Sequence, residues 1–93
     1  MEDIKSILIE RGYPEKIAAS TAVNLSKLTG RLADALKVWL DETKMPEMES
    51  HGYTTTSLME KFRGMTYPAA LLTIDWLERD PELAKQAIEK GIK

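Results

Sequence analysis

The sequence predicts an all-α fold: a compact bundle of five to six short helices in a single helical domain over residues 1–93. Three observations carry this. Apolar residues recur at helical spacing along most of the chain. Gly12, Gly30, Gly64 and Gly91 each sit where an apolar period ends, and Pro14, Pro68 and Pro81 each sit where a new one begins. No stretch shows sustained apolar/polar alternation with β-branched enrichment, so no sheet is expected.

The first helix is expected over about residues 3–11. Ile4, Ile7 and Leu8 share one face, Ile9 points elsewhere, and Gly12 can take the left-handed stop. The second is expected from Pro14 to about Leu28, with Ile17, Thr21, Leu25 and Leu28 in a narrow arc widened by Ala18 and Ala22; Gly30 ends it. The third, from about Arg31 to Glu42, has the cleanest stripe: Leu32, Ala35, Leu36, Trp39 and Leu40. Asp34, Lys37 and Asp41 lie opposite.

Residues 43–55 break the pattern. Pro46, Gly52 and several polar residues stand there between Met45, Met48 and Tyr53. Residues 44–53 are expected to form a loop, long for so small a domain, between units 1–43 and 54–93.

The fourth helix is short, about residues 57–63, with Ser57 and Glu60 matching a capping box and Thr54-Thr55-Thr56 as the approach. The fifth, from Pro68 to about Arg79, has two apolar stripes. One is Tyr67, Ala70, Leu71, Ile74 and Leu77; the other is Ala69, Leu72 and Trp76. Such a helix is central in its domain or in contact with a partner. The sixth opens at Asp80-Pro81 with Asp80 as N-cap; Leu83, Ala84, Ala87 and Ile88 point inward and Gly91 ends it. Tyr-Pro and Leu-Ala pairs recur at corresponding places in the two halves. Either a three-helix unit was duplicated or the matches are coincidental.

Composition removes several function classes. Without cysteine there is no disulfide, thiolate metal site or thiol nucleophile. The net charge of −2 is spread over interspersed acids and bases, with no basic block for nucleic acid or an anionic membrane. No apolar run is long enough to span a membrane. The acidic start, Met1-Glu2-Asp3-Ile4-Lys5, is unlike a secretory signal, so the expected location is cytoplasmic.

The catalytic inventory is equally thin. His51 is the sole histidine and falls in the expected loop beside Glu47 and Glu49, where an exposed side chain is expected rather than a metal ligand or a base. The carboxylate pairs Asp41-Glu42 and Glu78/Asp80 sit at helix ends, where Asp80 already serves as a cap, so a structural role is expected for them. There is no phosphate-binding glycine loop. The expectation is a protein that is not an enzyme, with no cofactor and no metal.

The Gly12-Tyr13-Pro14 turn joins two helices, and a third runs through Ala35-Leu36-Lys37-Val38-Trp39-Leu40. Over residues 4–42 this resembles the ubiquitin-associated (UBA-like) three-helix domains, although the second helix is expected to be about a turn longer than theirs. In that family the turn and the end of the third helix form an apolar patch that docks a protein partner. The resemblance therefore implies a patch at Gly12, Tyr13 and Leu40. Trp76, on the second stripe of the fifth helix, either seals the halves together or joins an interface, where aromatic anchors are enriched. The expected function is thus a small non-catalytic protein–protein interaction module, binding a protein partner or a second copy of itself. Its candidate partner-binding residues are Gly12, Tyr13, Leu40 and Trp76.

A helix-turn-helix nucleic-acid binder is the alternative, with the third helix as reader after Thr29-Gly30. Arg31 and Lys37 would serve it, but Asp34 and Asp41 on the same helix would repel phosphates.

Overall fold

The computed structural model describes residues 4–91. Among them are six helices: α1 (Ile4–Glu10), α2 (Glu15–Leu25), α3 (Gly30–Glu42), α4 (Thr55–Lys61), α5 (Tyr67–Arg79) and α6 (Pro81–Lys90). The fold is all-α, with one small addition between α3 and α4: strands β1 (Glu49–Ser50) and β2 (Tyr53–Thr54) pair antiparallel. Asp3, where the first helix was expected to start, lies with Met1 and Glu2 outside the described residues.

The hairpin corrects the expectation of a plain loop and no sheet. Its turn is His51-Gly52, with φ of +49° and +85°. Positive φ at both central residues matches the twist of a two-residue hairpin, and histidine enters that region more readily than most side chains. Two residues per strand are too few to show alternation, so the periodicity of the sequence was silent here. His51 itself is exposed.

The hairpin also moves the next cap. Thr54, not Ser57, caps α4: its hydroxyl accepts from the Ser57 amide at 3.0 Å, and the Ser57 hydroxyl accepts from the Thr54 amide at 2.9 Å. The capping box is therefore Thr54/Ser57 rather than Ser57/Glu60. Thr54 already has extended backbone as a strand residue, which is the conformation an N-cap needs. The expected cap at Asp80 forms, and Thr66 supplies a further one. Asp80 accepts from the Leu83 amide at 3.3 Å, and Thr66 accepts from the Ala69 amide at 3.3 Å.

Helix α2 is a turn shorter than expected. It ends at Leu25, and the following amides close tight i→i−3 bonds, Lys27 to Asn24 and Leu28 to Leu25. Gly30, at φ +60°, opens α3 instead of stopping α2. The buried line of α2 is Ala18 and Leu25, leaving Ile17 52 % exposed rather than inward. Leu83 on α6 is likewise 52 % exposed, because Ala84 and Ile88 take the inner line of that helix.

Helix α5 is the centre. It packs against α2, α3, α4, α6 and β1, and Tyr67, Pro68, Ala70, Leu71, Thr73, Ile74 and Leu77 are all buried. The core joins both parts of the chain, running from Leu8, Leu25 and Trp39 through Leu58 and Ile74 to Ile88. The buried Thr73 hydroxyl donates to the Ala69 carbonyl at 2.9 Å, so its burial leaves no unmet donor.

Tyr67 pins the segment before the hairpin. Its ring lies 6.2 Å from that of Trp39, and its hydroxyl donates to the Pro46 carbonyl at 2.6 Å. Burial disfavours the phenolate and pushes the Tyr67 pKa up to about 12. Tyr67→Phe should lower the unfolding free energy by about 1 kcal/mol at neutral pH by leaving that carbonyl without its donor. In the unfolded chain a tyrosine ionises near 10.0. The contribution of Tyr67 is therefore complete below that pH and is lost as the pH rises toward about 12. Urea unfolding of the two proteins from neutral to alkaline pH should show the gap between them closing in that window.

Candidate functional groove

Three helices share an apolar surface at the edge of the core. On α2, Ala19, Ala22, Val23 and Ser26 follow i, i+3, i+4, i+7 spacing. On α3, Ala33, Leu36, Lys37, Leu40 and Asp41 do the same; Leu36 also belongs to the buried core line of Leu32, Ala35 and Trp39, and Ala33 and Leu40 pack against that core. Ile4, Lys5 and Ile7 of α1 complete the set, and together these residues line an open groove of about 810 Å³. The alanines leave its floor low, while Ile4, Ile7, Leu36 and Leu40 supply larger walls. Val23 is 58 % exposed.

Arg11 fixes one end of the groove. Its guanidinium lies 4.2 Å from the centre of the Trp39 ring and donates to the Leu40 carbonyl at 3.0 Å. A second contact reaches the Thr43 hydroxyl at 3.5 Å. The carbonyls in the last turn of a helix lack intrahelical partners, and a cation there also meets the negative end of the helix dipole. The turn between α1 and α2 is thereby tied to the end of α3. That turn needs Gly12, whose φ is +99°, and the Tyr13 amide closes it by donating to the Leu8 carbonyl at 3.0 Å. Two buried polar atoms nearby in sequence, Arg11 Nη1 and Tyr13 Oη, make no hydrogen bond with any described residue.

The residues expected to bind a partner separate in space. Leu40 lines the groove; Gly12, Tyr13 and Trp76 do not. Gly12 is exposed on the α1–α2 turn, while Tyr13 and Trp76 are half-buried and pack against the core. Sequence reasoning missed Ile4, Ile7, Ala19, Ala22, Val23 and Ala33 as groove residues. The signal was present in the Ala19-Ala22-Val23-Ser26 spacing, but alanines are read as close-packing sites as easily as an open floor.

Charged side chains are sparse at the groove. Lys5 faces Glu15 across 3.9 Å, and Lys37 and Asp41 stand exposed on the α3 side. Arg31, at the other end of α3, is held by Glu78 of α5 at 3.1 Å. Among the described residues no cluster of three or more His, Asp or Glu side chains could hold a metal ion, and no helix is long and apolar enough to cross a membrane. No family model, curated protein or solved structure matches the chain.

Arg11→Ala should lower the unfolding free energy by about 1–3 kcal/mol, through loss of the ring contact and of a charge-assisted hydrogen bond. Arg11→Lys should recover only part of this, because an ammonium lacks the planar face and the fork. Hydrogen exchange at the Thr43 amide, which donates to the Trp39 carbonyl at the end of α3, should quicken in both variants.

Proposed function

We propose that this protein is a non-catalytic interaction module that receives an apolar helix in the groove between α1, α2 and α3. The observation that carries the reading is the apolar surface shared by α2 and α3. On α2 the line of Ala19, Ala22 and Val23 lies outside the buried pair Ala18 and Leu25, and on α3 Ala33 and Leu40 extend the core edge at Leu36 out to the groove. Recognition of an amphipathic helix uses such an arrangement: a low apolar floor, larger walls and anchors at i, i+3, i+4 and i+7 spacing.

The likeness to UBA-like domains would seat a partner at the turn, on Gly12 and Tyr13, with Leu40. In the present proposal Leu40 is a contact residue. Arg11, Gly12 and Tyr13 are support that holds its end of α3, and Trp76 packs within the chain. The nucleic-acid alternative is weaker on this geometry. Its reader would be α3, where Arg31 is engaged by Glu78 and Lys37 stands one turn from Asp41.

The test places a photo-crosslinking benzoylphenylalanine at Val23 in the full chain, expressed in cells of the source organism. The same group at Glu89, an exposed position that does not line the groove, serves as control. A discrete protein adduct from position 23 and none from position 89 is the expected outcome. Ala22→Glu should remove that adduct by placing a charge on the groove floor, with helicity by circular dichroism unchanged. Equal labelling from both positions, or none from either, would sink the proposal.

A further inference from the structure

We infer that the occupant of the groove is a second copy of this chain, docked with the two α3 helices antiparallel across a two-fold axis. The inference rests on the interaction-module reading above and names its partner.

Charge is the deciding observation. Of the charged residues lining the groove, Lys5 faces Glu15, which leaves Lys37 and Asp41. Neither makes an ion pair with any described residue. They are opposite in sign and one helical turn apart on one ridge. A strongly acidic or strongly basic partner would gain at one of them and lose at the other. The fitting partner is a helix with an apolar face that also carries an acid and a base one turn apart.

Helix α3 is such a helix. Leu36 is buried in its own core, and the groove-lining residues it has left to offer a second copy are Ala33, Lys37, Leu40 and Asp41. In a two-fold pair, residue i meets j and j meets i. With the axis midway between positions 37 and 41, Lys37 of one copy faces Asp41 of the second, and the reciprocal pair forms across the axis. Leu40 of each copy then lies beside its counterpart at the centre. The low floor of Ala19, Ala22 and Ala33 gives the incoming helix room to sit close. The small net charge of −2 adds little repulsion between copies.

Sedimentation velocity of the full chain, up to about 1 mM, tests this through charge exchange. The wild type should show a monomer–dimer equilibrium. Lys37→Asp and Asp41→Lys, each alone, put like charges opposite one another twice per dimer and should raise the dissociation constant about tenfold. The double variant Lys37→Asp/Asp41→Lys restores opposite charges at both contacts and should return it to within about threefold of wild type. Circular dichroism of all four proteins should be alike.

A wild type that stays monomeric would overturn the inference. So would a dimer that ignores the single reversals, or one that the double variant fails to restore. Failure of the underlying reading is separable. A monomer whose Val23 crosslinker captures a different protein retires self-association and leaves the interaction module standing. A monomer that captures nothing retires both.

Discussion

The burial of α5 is the constraint on which the rest of the fold depends. Seven of its residues are buried, and it meets four other helices and a strand. Each fully buried leucine- or isoleucine-sized side chain contributes about 1.5–3 kcal/mol relative to exposure. Leu71, Ile74 and Leu77 alone therefore supply a large share of what holds so small a core. Once α2 and α3 have packed against α5, the apolar surface they share at the edge of the core, with α1, becomes the groove.

Two polar anchors set the edges of this arrangement. Arg11 joins the α1–α2 turn to the end of α3, and Tyr67 joins the centre of the core to the segment before the hairpin. Both meet Trp39, one through its guanidinium and the other through its ring. Trp39 is thus where the groove end and the core centre meet. A substitution there would act on both at once, whereas one at Val23 touches the groove alone. The ion pairs Lys44–Glu42 and Arg79–Asp75 lie at the surface, with every side chain but that of Asp75 well exposed, and each is worth little to stability.

The groove was only partly legible in the sequence. Leu40 belonged to the cleanest stripe in the sequence and does line the groove. Tyr13 and Trp76 stood out because aromatic residues are prominent, but a prominent aromatic side chain in a short helical chain is also the best filler for its core. The alanines and Val23 carry the groove because they are small or peripheral, and such residues stand out least in a pattern search.

By itself the sequence determined the helical class, the approximate helix ends at Gly12, Gly64 and Gly91, the cap at Asp80, and the inward stripes of α3 and α5. These follow from local physics: backbone freedom, orphan amides and the 3.6-residue period. Tertiary structure decided the hairpin at His51-Gly52, the early end of α2, the exposure of Ile17 and Leu83, and which apolar edges meet. Each depends on what lies opposite in space. A helix carries two or three apolar lines with equal ease, and only the neighbours it packs against choose which line is core and which is left as surface.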